Sequence, residues 1–186
     1  MFFTSPCAPL YLRGKLKDLK NPIKEPLFTV SQNYPLRLGG CLTNLMDYEN
    51  PDATINNQLP TEAFKFMFYE RKIRHVDQNL LPFTNLSSGC YDAMFGRCDS
   101  LVNAPALPAV QLAEKCYTDM FFYCTQLSTL PALPANQLPD ECYARMFCGC
   151  QSIKISTSRT DEYRNEYSIP AIENVISVGK DVCVNM

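Results

Sequence analysis

The sequence predicts an α/β repeat solenoid of short parallel strands and short helices, closed at its start by a β-rich N-terminal cap. Three observations predict it. The string Cys-Tyr-x-x-Met-Phe-x-x-Cys begins at Cys90, Cys116 and Cys142, at equal intervals of 26 residues. The segments that follow the first two copies, SLVNAPALPAVQLAEK and QLSTLPALPANQLPDE, match each other in register. A degenerate copy opens at LPTEAFKFMF, where Ala63 and Phe64 take the Cys-Tyr places while Met67 and Phe68 keep theirs. A fixed period of roughly 20 to 50 residues marks a stacked array, because one such unit cannot bury its apolar face alone. The chain then divides into a cap over 1–58, about four repeats over 59–153, and a C-terminal cap or truncated repeat over 154–186.

Each element has a local reason. Residues 1–58 show alternation in PLRLGG and an apolar run in LFTV, both strand signals, and Gly39-Gly40 marks a bend or bulge. Within one repeat, Cys142, Met146 and Cys150 fall at i, i+4 and i+8, with Phe147 at i+5, which predicts one inward stripe of a short helix. Pro139 suits a first helical turn, Asp140 and Glu141 suit its positive end, and Gly96 limits the earlier copy to about two turns. Pro105 and Pro131 cannot donate to a sheet ladder, so any strand is short, over 100–104, before the chain becomes polyproline-like. At the C-terminal end EYRNEYSIP reads as a polar strand, while AIENVISVGKDVCVNM begins as a helix or a strand. Its DVCVNM can be laid over ECYARM, with Met186 on Met146.

Composition narrows the function classes. The chain has 186 residues, 46% of them hydrophobic, and 17 basic against 19 acidic residues give a net charge of -2. That balance supplies no general pull toward nucleic acid or an anionic membrane. The basic stretch Arg13, Lys15, Lys17, Lys20 and Lys24 is interrupted by leucines and by Asp18, as on a solvated face. No segment approaches the ~18 consecutive apolar residues of a membrane span. The start, MFFTSPCAPL, lacks the basic and long apolar regions of a secretory signal.

The ten cysteines read as buried free thiols that pack as small hydrophobes. Equivalent positions on packed helices lie ~8–10 Å apart, beyond the ~7 Å that a disulfide spans between Cα atoms. Cys142, Cys148 and Cys150 lack the paired spacing of a zinc site, and His75 is the sole histidine, within YERKIRHV. A nucleophilic cysteine would need a base and an orienting group. No metal, cofactor or catalytic set is expected. Tyr91, Tyr117 and Tyr143 read as half-buried rings with hydroxyls reaching solvent, against the alternative of a ladder that stacks ligands or glycans. The predicted sheet face carries Val102, Asn103, Ser128, Thr129 and Lys154, a mildly polar surface for recognition, or a solvated face with no partner.

Tyr91, Met94, Phe95, Cys98, Leu101, Pro105 and Pro108, with their two later copies, resemble the BspA-like leucine-rich repeats of gut and oral bacteria and their phages, in a 26-residue variant. The resemblance covers about Leu59 to Ile153. The flanks APLYLRGK, CLTNLMDYEN and KISTSRTDEYRNEYSIP are similar too. It implies a leucine-rich-repeat solenoid that is not an enzyme and binds a protein or glycan at a bacterial cell surface. The other implied role is a structural or accessory component of a phage particle or mobile element. Two departures stand out: adhesin members usually carry an export signal and many repeats, neither of which is read in this sequence, and Ala63 and Arg71 replace the cysteines of the first repeat. The exposed ends of a short stack also suit end-to-end self-association.

Overall fold

A computed structural model describes residues 2–4, 9–11, 35–47, 49, 58–153, 177–178 and 180–181, with the backbone alone for 2–4, 9–11 and 177–178. The basic stretch 13–24, the LFTV and EYRNEYSIP segments, Cys7, Lys154 and Cys183 lie outside the described residues.

The repeated motif does not form α-helix. Residues 61–70, 88–97, 114–123 and 140–149 are runs of successive tight turns. Every fourth residue is left-handed: Glu62, Phe66 and Glu70 have φ of 54°, 56° and 58°, Ala93 and Arg97 have 50° and 58°, and Lys115, Asp119 and Tyr123 have 58°, 54° and 54°. The backbone hydrogen bonds explain why. Alternate amides close turns within their own copy, as Met94 N–H does onto Tyr91 O and Gly96 N–H onto Ala93 O. The amides between them donate to the next copy, Tyr91 N–H to Cys116 O, Ala93 N–H to Thr118 O and Phe95 N–H to Met120 O. The same alternation joins residues 62–71 to the second copy and 115–124 to the fourth. A right-handed helix would turn every amide back on its own chain. Here half of them tie the copies together, and each run is one rung of a stack.

A left-handed residue other than glycine costs on the order of 1–2 kcal/mol. The rungs bear that cost repeatedly because the geometry satisfies every amide from Glu62 to Arg71, Gly89 to Cys98 and Lys115 to Cys124. It also turns two neighbouring side chains inward in every four. Cys90, Tyr91, Met94, Phe95 and Cys98 are all buried, as are Cys116, Tyr117, Met120, Phe121 and Cys124. Equivalent rings then stack in columns. Phe68, Phe95, Phe121 and Phe147 follow one another at 5.4, 5.7 and 5.6 Å between centroids. Phe64, Tyr91, Tyr117 and Tyr143 do so at 5.7, 5.6 and 5.8 Å.

The Met-Phe pairs therefore point inward and the copies lie in chain order. The terminal signals have other causes. Gly96 does not end a helix: a Cβ there would come within 2.8 Å of the Tyr69 ring, so the glycine admits a tyrosine from the preceding rung. Pro139, Asp140 and Glu141 stand at the entry to a rung and not at a helix N-terminus.

The return segments carry less regular structure than expected. No strand runs over 100–104. Prolines explain part of this, and Asn103 the rest. Its side chain takes the place of a backbone partner, accepting from Val76 N–H at 3.3 Å and donating to Val76 O at 2.8 Å. Cross-repeat contact continues as single bonds, Val102 N–H to Arg74 O and Ser128 N–H to Val102 O.

At the N-terminal end, strands β1 (Phe2–Thr4), β2 (Pro9–Tyr11), β3 (Leu36–Gly39) and β4 (Ile73–Val76) form one sheet in the order β2-β1-β3-β4. β1 is antiparallel to both β2 and β3, and β3 is parallel to β4 with a register shift between Leu36 and Arg37. β4 lies in the return of the first repeat, so the sheet joins the cap to the stack. Gly40, with φ of 87°, makes the bend, and Asp77 holds it by accepting from Gly40 N–H and pairing with Arg37 at 3.1 Å. A single helical turn, α1 (Thr43–Met46), buries Leu45 and Met46 against this end. At the other end β5 (Gln137–Leu138) pairs in parallel with β6 (Ser177–Val178). Glu141 N–H donates to Lys180 O, and Asp181, at φ 52°, has the left-handed backbone that Glu141 has at 53°.

Two outcomes test this packing. Phe121→Ala removes a ring that is flanked in its column on both sides and should lose ~3–5 kcal/mol in urea unfolding. At Lys115, Lys115→Gly should keep or raise stability, whereas Lys115→Val should lose ~1–2 kcal/mol, because glycine relieves the positive-φ cost that lysine bears and the β-branched residue increases it. Equal losses for both variants would contradict the left-handed rung.

Candidate functional site

The residues expected to form a recognition face are placed together in part. Arg74, Val102 and Ser128 follow one another across three repeats, joined by the single backbone bonds between their returns. His75 and Asn103 are neighbours, with Nδ1 and Oδ1 3.2 Å apart. Ser128 is exposed and its Oγ donates to Val102 O at 3.2 Å; Thr129 beside it is exposed. Asn103 spends its amide on Val76, so its role is to join repeats more than to meet a ligand. A depression of about 210 Å³ opens on this face, lined by Pro35, Arg74, Ser100, Val102 and Gln126.

A second and larger feature escaped the sequence reading. A cleft of about 480 Å³ lies where the rungs pass into the returns, lined by Glu70, Lys72, Arg97, Asp99, Tyr123 and Thr125. Glu70, Arg97 and Tyr123 are the last left-handed positions of three successive rungs. Lys72, Asp99 and Thr125 stand two residues further along each chain segment. Arg97 pairs with Glu70 at 3.4 Å and Lys72 with Asp99 at 3.3 Å, all four side chains about half exposed. Thr125 Oγ1 donates to Asp99 O at 3.2 Å, and Ser100 Oγ to Asp99 Oδ1 at 2.9 Å. Tyr123 is 48% exposed, one of two large exposed apolar side chains among the described residues. Its ring lies on Gly149 of the next rung, where any Cβ would come within 2.9 Å. The signal in the sequence was the change of residue at matched positions, visible only once 70, 97 and 123 are known to align.

The sulfur and aromatic residues of the motif are interior. Tyr91, Tyr117 and Tyr143 are at most 1% exposed, which corrects the expectation of half-buried rings with solvated hydroxyls. Parallel rungs at hydrogen-bonding distance leave no room between stacked rings, so these tyrosines present no face to a ligand. Tyr91 Oη is buried without a hydrogen-bond partner among the described residues, a cost of ~1–3 kcal/mol that the ring column offsets.

Cys41, Cys90, Cys98, Cys116, Cys124, Cys148 and Cys150 are free thiols, but the geometric reason offered from sequence does not hold. Hydrogen-bonded chains lie ~4.8 Å apart, not at helix-packing distance, so equivalent cysteines are neighbours. Their sulfurs are directed elsewhere: Cys98 Sγ donates to Phe68 O at 3.0 Å, Cys124 Sγ to Phe95 O at 3.1 Å and Cys150 Sγ to Phe121 O at 3.1 Å. Burial pushes the thiols of Cys98 and Cys116 up to about 12 and that of Cys150 up to about 11, and raises Cys90 and Cys124 well above their ordinary value. Thiols so protonated are poor nucleophiles and poor metal ligands. Among the described residues no group of three or more His, Cys, Asp or Glu is placed to hold a metal ion, and no helix is long and apolar enough to cross a membrane.

Comparison with protein-family models, with curated proteins and with solved structures finds no match to the chain.

The buried thiols set a pH dependence. Their folded pKa values lie above the unfolded one, so their contribution is complete below about pH 9 and is lost as pH rises toward 12. Urea unfolding should show stability flat from pH 6 to 8.5 and falling above 9, by on the order of 1 kcal/mol per pH unit for each of Cys98 and Cys116. In the native protein at pH 8 a thiol reagent should label the half-buried Cys41 and Cys148, and should reach Cys90, Cys98, Cys116, Cys124 and Cys142 only in denaturant.

Proposed function

We propose that this chain is a non-catalytic leucine-rich-repeat solenoid of the BspA-like kind that recognises a protein or glycan partner. The observation that supports the reading is a contrast between inside and outside. Matched interior positions repeat one chemistry: Met67, Met94, Met120 and Met146, or Phe68, Phe95, Phe121 and Phe147, all buried. Matched outer positions do not: Glu70, Arg97 and Tyr123, then Lys72, Asp99 and Thr125, then Arg74, Val102 and Ser128. A scaffold that needs only to stand would gain nothing from such variety, whereas a recognition surface needs different groups at fixed spacing. The hydrogen-bonded ladder fixes the backbone spacing in advance, so binding needs to order side chains only.

The partner surface is the face of Arg74, Val102, Ser128 and Thr129; Lys154, which the sequence groups with them, lies outside the described residues. The test immobilises the full chain and presents purified host extracellular glycoproteins and phage structural proteins. Saturable binding with a Kd of roughly micromolar is expected for one class. The double variant Val102→Arg with Ser128→Arg should weaken it more than about tenfold while leaving the unfolding midpoint in place. A phage protein as the sole ligand would favour the particle-component role. Binding of neither class, or binding indifferent to the variant, overturns the assignment.

A further inference from the structure

We infer that the cleft between the rung ends and the returns is a saccharide subsite, with Tyr123 as the platform for one pyranose ring. The inference rests on the reading of this chain as a binding module, and it deepens that reading by naming a separate site and a ligand class.

Three observations carry it. The first is the charge balance of the lining. Glu70 and Asp99 bring acceptors only, Arg97 and Lys72 donors only, and Thr125 an oxygen that does both. The two ion pairs cancel, at 3.4 and 3.3 Å, so neither an anion nor a cation gains from entering. A neutral ligand that donates and accepts at adjacent oxygens uses all of them. A pair of vicinal sugar hydroxyls matches a carboxylate on one side and a guanidinium or ammonium on the other, which strengthens each bond through charge.

The second is the tyrosine. Its ring packs directly on Gly149, with no room for a Cβ between them, and the Phe122 ring meets it edge-on at 4.6 Å. Half of its surface still faces solvent. An exposed aromatic ring beside paired polar groups offers the apolar C–H face of a pyranose a surface to cover, while its tip stays wet.

The third is shape. The cleft holds about 480 Å³ and is open along the stack, so it takes a ring or two of a chain whose remainder leaves on either side. Shallow open sites of this kind bind one sugar weakly, with a Kd of roughly millimolar, and gain strength through repeated units.

The experiment titrates the full chain with neutral oligomers of glucose, mannose, galactose and N-acetylglucosamine, and with phosphocholine as a zwitterionic control, read by saturation-transfer NMR and calorimetry. At least one oligosaccharide should bind with a Kd of roughly millimolar or below and should perturb the Tyr123 ring signals. Tyr123→Ala should weaken it more than about tenfold, Tyr123→Phe should retain it, and Asp99→Asn should weaken it by a similar factor. Retention in Tyr123→Phe shows that the fold is intact and that the ring face is what matters. The variant Val102→Arg with Ser128→Arg should leave saccharide binding unchanged, which separates this site from the partner surface. Absence of binding at about 10 mM of every sugar, indifference to Tyr123→Ala, or binding of phosphocholine in place of sugar each overturns the subsite. Partner binding that survives Tyr123→Ala while sugars fail would leave the recognition module standing and remove this inference alone.

Discussion

The division of backbone amides between a residue's own turn and the next rung is the constraint on which the structure depends. A chain that closed every amide locally would be a helix, and helices pack through side chains at ~8–10 Å. Splitting the amides brings successive copies to hydrogen-bonding distance, and the packing changes with it. Flat rings stack face to face in two columns, sulfurs reach carbonyls of the preceding rung, and methionines fill what remains. The left-handed residues are the cost of this arrangement. They recur every fourth position because the turn unit is four residues long.

Such a stack distributes its stability. Each interior ring contacts the ring before and after it, so a rung is held by its neighbours more than by its own residues. The ends then need separate solutions. At the start, the four-stranded sheet runs into β4 of the first repeat, and Asp77 fixes the Gly40 bend that joins them. The first rung, next to this cap in the chain, departs from the motif, with Ala63 and Arg71 in the cysteine places. At the other end, β6 and Lys180 lie against β5 and the fourth rung, with Lys180 N–H bonded to Asp140 Oδ1 at 2.7 Å.

The same regularity governs the surface. Side chains that leave the rung at its last left-handed position, and those two residues later, form two lines with a cleft between them. Exposed ion pairs there add little to stability, at about 0–1 kcal/mol each. They set donors and acceptors at fixed positions in the lining that includes Tyr123. Gly149 has a surface reason as well as a backbone one, since it leaves room for that ring.

The sequence by itself determined the period, the four copies and the inward set of Cys, Tyr, Met and Phe, because stacking demands the same interior chemistry at each matched position. It also marked the bend at Gly39-Gly40 and the shortage of strand around Pro105 and Pro131. It did not determine the backbone of the motif. Over nine residues, apolar positions at i, i+1, i+4, i+5 and i+8 satisfy a helix of 3.6 residues per turn and a turn of four equally well, and no glycine marks Ala93, Lys115 or Asp119 as left-handed. Only the neighbouring copies choose between them, since the bonds that favour the turn are made to another rung. The depth of the tyrosines, the nearness of matched cysteines and the cleft beside Tyr123 all follow from that choice, so none was legible before the copies were placed side by side.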